Sequence, residues 1–283
     1  MAHVTDFLMK TNYMNMSGRQ DKQWWVVLFQ DPWRSVFLRE KTQRRTIEEV
    51  NFIQKVLELR SQAKILDVPC GDGRHSIELA KRKFKVTGVD INQQFLDIAR
   101  DKTEFERLKI VWQQRDMRDL PWREKFDAAF SFWGSFGYFD DKGNIDFLKA
   151  VSRVLKPGAK FLVDTHVAET LLPNLSPERI WKQVGKTLLL EEKSYDCASS
   201  RVNTEWTFIH HGEKSKRYSS IRIYTFRQLC DLLRSVGFNS FRGYGLLNGD
   251  PFHVGSSRLY LVAKKKRKVS KISSQKVKSK KYN

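Results

Sequence analysis

The run Ile65-Leu66-Asp67-Val68-Pro69-Cys70-Gly71-Asp72-Gly73-Arg74-His75 holds the densest group of chemically capable residues in the chain. An apolar stretch leads into a turn with two glycines, and an amphipathic stretch follows. That order reads as a strand whose end opens a helix through a tight loop. At the carboxyl end of a first parallel strand the backbone must turn sharply and let a ligand approach closely, and glycine permits both. A dinucleotide loop is the general expectation, but Ser76 stands where the third glycine of a Gly-x-Gly-x-x-Gly fingerprint belongs. Asp67, four residues before Gly71, fits poorly beside a pyrophosphate and well beside a cationic amino group. The expected ligand therefore carries a positive end and no diphosphate. His166, in Val163-Asp164-Thr165-His166, follows an apolar run, so it falls at a strand end where a neutral imidazole can accept a proton. His75 is expected to orient the glycine loop, and His210 and His211 to lie in a hairpin. Cys70, Cys197 and Cys230 are too few and too far apart for a disulfide framework or a zinc knuckle, and no metal site is expected.

These residues need a frame to converge. Ile47, Val50, Ile53, Val56 and Leu57 repeat at helical spacing behind Thr46 and Glu49, which have the form of a capping box, so a helix of about 14 residues is expected to start there. Short apolar runs then alternate with amphipathic stretches: Ile65–Val68, a helix from Arg74, Val86–Val89, a helix after Asn92, Ile110–Trp112, Ala128–Phe132, a helix through Leu155, and Phe161–Val163. Alternation on this scale predicts βαβ units around a parallel sheet. Between Ile180 and Tyr224 the runs Thr187–Glu191, Arg201–Ile209 and Tyr218–Tyr224, separated by polar turns, predict an antiparallel insert. Thr225 and Gln228 form a second capping box opening a helix to Val236, and strands are expected near Phe238–Gly245 and Arg258–Val262. No internal repeat is visible. The chain thus divides into an aromatic N-terminal cap segment (1–45, with Tyr13, Trp24, Trp25, Phe29, Trp33 and Phe37), an α/β core (46–175), the β insert (176–224), the returning helix and strands of the core (225–263) and a basic tail (264–283).

Composition narrows the class. The chain has 283 residues, 52 Lys plus Arg against 32 Asp plus Glu, a net charge of +20, and 40% hydrophobic and 12% aromatic residues. Such a chain buries a sizeable core. No apolar run approaches the roughly 18 residues of a membrane span, and the start lacks a signal-peptide apolar region, so no membrane association and a cytoplasmic address are expected. Residues 264–283 hold ten Lys or Arg and no acid. Lys264-Lys265-Lys266-Arg267-Lys268-Val269 has the form of a nuclear-localisation signal, which would give a nuclear address in a eukaryote, and equally of a nonspecific nucleic-acid-binding arm.

The loop with Asp67, Gly71 and Gly73, together with Val89-Asp90-Ile91 and Arg115-Asp116-Met117 after the next two strands, resembles the class I S-adenosylmethionine-dependent methyltransferases from about Thr46 to Ala263. The segments Ser131-Phe132-Trp133-Gly134-Ser135-Phe136-Gly137-Tyr138 and Val154-Leu155-Lys156-Pro157-Gly158 resemble a group of small microbial members, with sugar and glycine-type N-methyltransferases as relatives. The resemblance implies a doubly wound, Rossmann-like sheet of order 3-2-1-4-5-7-6 whose last strand is antiparallel, and S-adenosylmethionine as cofactor. It places Asp67, Pro69, Cys70, Gly71, Gly73 and Ser131 around the methionine part. Asp90 and Ile91 go to the ribose, where two acceptor oxygens meet two vicinal hydroxyls, and Asp116 and Met117 to adenine. The expected reaction is in-line methyl transfer to a small-molecule N or O nucleophile, with His166 as proton acceptor and Tyr138 contacting the acceptor. Trp133, Arg201, Arg222, Tyr224 and Arg258 are expected polar or aromatic contacts for the acceptor, with Trp181 and Trp206 as walls. The rivals are a nucleic-acid methyltransferase using the basic surface, against which the absence of an Asn-Pro-Pro-Tyr type of segment counts, and a noncatalytic cofactor-binding subunit. Oligomeric state leaves no trace in the sequence.

Overall fold

The structure, a computed structural model, describes residues 23–34, 36, 41–175 and 179–267. Tyr13, Phe37 and the tail from Lys268 lie outside the described residues. Seven strands form one sheet: β1 (Lys64–Asp67), β2 (Lys85–Asp90), β3 (Val111–Gln114), β4 (Phe126–Ser131), β5 (Leu155–Thr165), β10 (Phe238–Tyr244) and β11 (Leu259–Lys265). The spatial order is β3-β2-β1-β4-β5-β11-β10. β1 pairs parallel with β2 and β4, and β11 runs antiparallel to both β5 and β10. This is the expected order 3-2-1-4-5-7-6 once the last two strands of the sheet are counted sixth and seventh. Strands covered on both faces have no need to alternate: β4 buries every residue but Asp127, and that is why it reads as an apolar run.

Helices α2 (Gln43–Leu57), α3 (Arg74–Lys81), α4 (Gln93–Phe105), α5 (Asp141–Val154) and α7 (Phe226–Ser235) cover the sheet, with α1 (Trp24–Leu28) and the single turn α6 (Ala168–Leu171) outside it. On one face Phe147, Val151, Leu229 and Leu233 pack on Ala129, Phe161 and Leu261; on the other Phe52 and Ile53 pack on Ile65, Tyr244 and Tyr260. Two local expectations change. The cap of α2 is Thr42, whose Oγ1 accepts from the Arg45 amide at 3.2 Å, so Thr46 and Glu49 lie inside the helix and Glu49 is buried. β3 is shifted to Val111–Gln114. The Thr225–Gln228 capping box of α7 is present as read.

The insert is a four-stranded antiparallel sheet: β6 (Ile180–Val184), β7 (Thr187–Asp196), β8 (Arg201–His210) and β9 (Glu213–Arg222). β6 is absent from the sequence reading because its residues are nearly all exposed and show no alternation of burial. Among the described residues no helix is long and apolar enough to cross a membrane.

Candidate functional site

A cavity opens at the carboxyl ends of β1, β2 and β4, where the chain leaves β1 toward one side of the sheet and β4 toward the other. That switch point is the natural ligand crevice of an open parallel sheet, because loops diverge there. Cys70, Gly71 and Asp72 follow β1, Asp90 and Ile91 end β2, Arg115, Asp116 and Met117 follow β3, and Phe132 and Trp133 follow β4; all line the cavity. Pro69 lines it too. The opposite wall comes from the N-terminal segment, through Trp25, Phe29 and Trp33, with Tyr138 and Phe139 beside them. The Trp24 and Tyr138 ring centroids lie 4.8 Å apart, those of Trp25 and Phe139 4.9 Å.

The two glycines of the loop have different tasks. Gly71 has φ +55°, and no heavy atom lies within 4 Å of where its Cβ would stand, so its backbone faces open space. Gly73, at φ +75°, has no such space: a Cβ there would lie 2.5 Å from the Trp112 ring and 2.9 Å from Ala99. Gly73 does not line the cavity and serves the packing of α3 against β3 and α4.

The acids differ in the same way. Asp90 receives the Gly71 amide at 2.7 Å and the Asn92 amide at 2.8 Å, which ties the ends of β1 and β2 together. Burial raises its carboxyl to about 6 against the lowering effect of these amides. Asp67 is buried beneath the loop, accepts from Ser76 Oγ at 2.7 Å, and is pushed by burial up to about 8; it holds α3 to β1 and does not reach the cavity. The acid that does line that wall is Asp72, paired with Lys102 at 3.0 Å and Lys41 at 3.5 Å. Asp116 lines the cavity and is held by Arg118 Nε at 2.9 Å and by the Arg118 amide at 2.8 Å. Ser131 is fully buried at the end of β4 and lines nothing; its Oγ has no hydrogen-bond partner.

A buried polar network closes the floor. Glu49 of α2 accepts from His75 Nε2 at 2.8 Å, Arg45 Nε at 3.0 Å and Trp133 Nε1 at 3.2 Å, and pairs with Arg74. Burial alone would raise the Glu49 carboxyl, but the His75 and Arg74 contacts bring it down to about 2, while burial and the Arg74 charge bring His75 down to about 4. The pair is therefore a carboxylate with a neutral imidazole. Trp133 sits at φ +71°, a backbone region a bulky residue adopts only when held. Its amide donates to Asp164 Oδ2 at 2.8 Å, and its ring lies 5.0 Å from both Lys41 Nζ and Arg74 Cζ.

The expected acceptor contacts do not gather here. Arg201 donates to Ser220 Oγ at 2.8 Å and to the Phe139 and Tyr138 carbonyls at 3.1 and 3.3 Å. Arg222 and Tyr224 both bind Asp141, and none of the three lines the cavity. Their donors are spent on joining the insert to the core. No residue of 179–224 lines the cavity; Trp181 is exposed, Trp206 packs beside Val36, Leu189 and Phe208, and His210 bonds Thr187. Arg258 lies behind the wall, its Nε 2.6 Å from Asp164 Oδ1. His166 also stands off the lining: its Nε2 faces Arg258 Nη1 at 3.5 Å, and burial together with that charge lowers it to about 3. Its lone pair points at a guanidinium. Tyr138 does line the cavity, and burial raises its hydroxyl to about 12, so it stays protonated. Among the described residues no three His, Cys, Asp or Glu are grouped for a metal.

Sheet order and crevice define the Rossmann-like methyltransferase fold. Residues 65–158, which carry the glycine loop and the acids after β2 and β3, match the methyltransferase domain family. The chain is similar to the putative methyltransferase YqeM of Bacillus subtilis, 28% identical over 223 residues, covering 75% of this chain and 87% of that protein. It is also similar to the glycine N-methyltransferase of Rattus norvegicus, 30% identical over 138 residues, 44% of this chain and 47% of that one. Among solved structures, an S-adenosylmethionine-dependent methyltransferase from Clostridium acetobutylicum superimposes with a TM-score of 0.70 at 19% identity, covering 81% of this chain and 94% of that one. The sugar N-methyltransferase KedS8 of Streptoalloteichus does so with a TM-score of 0.62 at 17% identity, covering 83% and 93%. Residues 65–158 form a methyltransferase domain, and with these relatives and this cavity the chain is an S-adenosylmethionine-dependent methyltransferase. The residues fit that cofactor: Gly71 leaves backbone open to a close ligand, Asp90 keeps lone pairs for hydroxyl donors, and Ile91 and Met117 offer apolar surface beside Asp116.

Proposed function

We propose that the enzyme methylates a small-molecule N or O nucleophile held between the strand-end wall and the aromatic wall of residues 23–34. The observation that carries this reading is the second wall: Trp25, Phe29 and Trp33 line the same cavity as the strand-end residues, so the cavity is walled by aromatic side chains. When bound, S-adenosylmethionine supplies a methyl group already activated on a sulfonium sulfur. The protein then has to bind, align and exclude water. Asp90 accepts the ribose hydroxyls, Asp116 accepts from the adenine amino group with Ile91 and Met117 at the ring, and Pro69, Cys70 and Gly71 shape the methionine end. Lys41 and Arg74, the cations of that wall, face the carboxylate of the same moiety. Tyr138, held protonated, donates to or orients the acceptor, and Trp133 forms the edge of its space.

His166 acts by position. Its Nε2 accepts from Arg258, so a proton taken there would lie against a guanidinium. The acceptor must therefore arrive neutral, as an amine that has shed its proton to water or as a hydroxyl. The test is incubation with methyl-labelled S-adenosylmethionine and fractionated cell extract. Label is expected in the small-molecule fraction; label entering only RNA or protein overturns the reading.

A further inference from the structure

A second concave site lies on the other side of the molecule. It is framed by the last turn of α2, the middle of β5 and the strands β10 and β11, and four cations face it: Lys55, Lys160, Arg242 and Lys264. The register explains the convergence. Lys160 of β5 pairs with Lys264 of β11, and Arg242 pairs with Val262 two residues along, so the side chains share one sheet face beside the last turn of α2, whose Val56 carbonyl accepts from Lys160 Nζ at 3.2 Å. Only Lys160 has a carboxylate partner, Glu58 at 2.7 Å, itself largely exposed. Among the described residues no carboxylate comes within 4.0 Å of Lys55, Arg242 or Lys264. Asn248, whose Nδ2 donates to Asp250 at 2.9 Å, and Tyr244 complete the lining, and Arg242 lies over the Tyr244 ring at 5.2 Å.

A solvated surface disperses like charges. Here four of them are collected in one polar concavity with a single carboxylate, Glu58, which focuses a positive potential and suits a bound anion. Lys265 donates to the Ser152 and Leu155 carbonyls and lies outside the groove, but the sequence beyond it remains basic: Lys266 and Arg267 follow, and residues 268–283 add six Lys and no acid. A site for one phosphate needs no such continuation, whereas a repeating polyanion does. We infer that this groove is a binding site for the phosphate backbone of a single-stranded nucleic acid. It is separate from catalysis: Lys160, midway along β5, stands five residues and about 16 Å at strand spacing from Thr165 at the carboxyl end of the strand. The nucleic acid is an anchor for the enzyme and not its methyl acceptor.

The experiment is anisotropy titration of a fluorescein-labelled 12-nucleotide oligouridylate from low to moderate salt, using the full chain, Lys55→Glu/Arg242→Glu, the charge-preserving Lys55→Arg/Arg242→Lys, and a chain ending at Arg267. The double charge reversal is expected to weaken binding roughly tenfold or more and to flatten the log–log salt slope by about 1.4, at about 0.7 per lost single-strand phosphate contact. The charge-preserving variant should bind as the parent does, and S-adenosylhomocysteine affinity should be unchanged in both, showing intact folds. In the shortened chain overall affinity falls, but the groove reversal must still weaken it. Unchanged binding and slope in the charge-reversed full chain overturns the inference and leaves the tail as sole contact. Competition by millimolar inorganic phosphate as effective as the oligonucleotide overturns it in favour of a small phosphate ligand.

Discussion

The strand-end wall of the cavity and the β insert are both rich in charged side chains, yet they use them oppositely. On the strand-end wall, Asp90 is fixed by two backbone amides that leave lone pairs toward the cavity. In the insert, Arg201 spends its donors on Ser220 and on two carbonyls of the β4–α5 loop, and Arg222 and Tyr224 are bound to Asp141. A charged side chain serves a ligand only when its scaffold leaves a donor or acceptor unspent. The insert is a brace; the strand ends are the site.

The sharpest break of this contrast is at the glycines. Gly71→Val should cut S-adenosylhomocysteine affinity roughly 100-fold or more, through left-handed strain of about 1–2 kcal/mol and a side chain in ligand space, while folding survives. Gly73→Val should do the reverse, lowering the melting temperature by roughly 5–10 °C through collision with Trp112. Calorimetry of both variants separates the two; equal losses of affinity would erase the distinction.

Asp90→Ala should cost about 1.5–3 kcal/mol of binding, roughly 10- to 150-fold in affinity, and also lower stability, since the Gly71 and Asn92 amides lose their acceptor. A ligand offering hydroxyl donors favours the carboxylate and so depresses its pKa on binding. Affinity is then full above about pH 6 and falls as pH drops through that value, by up to about tenfold per unit. Titrations from pH 5 to 8 should show this dependence in the parent and a flat profile in the variant.

On the insert, Arg201→Ala should lower unfolding free energy by about 1.5–3 kcal/mol, since it removes charged hydrogen bonds between β8 and the core. Its S-adenosylhomocysteine affinity should stay within roughly twofold of the parent; a larger loss would return the insert to the site. The smallest effect belongs to His166→Asn. A proton-accepting role would cost about 10²–10⁴-fold in turnover. With the imidazole neutral and facing Arg258, the change should be under about threefold, and the pH profiles of parent and variant should superimpose.

The alternation of strands and helices and the insert were legible in the sequence, because period separates strand from helix, whereas the sheet order and the acids at the ends of β2 and β3 came with the family resemblance. The spending of side chains was not. Thr46 and Glu49 have capping-box spacing, but Thr42 lies one turn earlier and wins the cap, which frees Glu49 for a contact with Trp133 distant in sequence. Lys41 carries no local pattern at all; only folding brings it to Asp72. Asp67 and Gly73 match their motif and still face inward, since the motif records where the chain turns and not which side of the turn a ligand meets.

Trp112 fills the space that two glycines from different elements leave vacant. A Cβ on Gly73 or on Gly88, its partner across the β2–β3 pair, would run into the same indole, whose Nε1 is held by Thr103 Oγ1 at 3.1 Å. Gly88 and Trp112 are therefore epistatic, whereas Gly73 is held independently by its positive φ and by Ala99. Gly88→Ala should be tolerated only alongside Trp112→Leu or a similarly reduced ring, and a library varying Gly88 alone would score it as immutable. A library varying the two together would find that what is fixed between the strands is one shared volume, open to redistribution from β3 to β2.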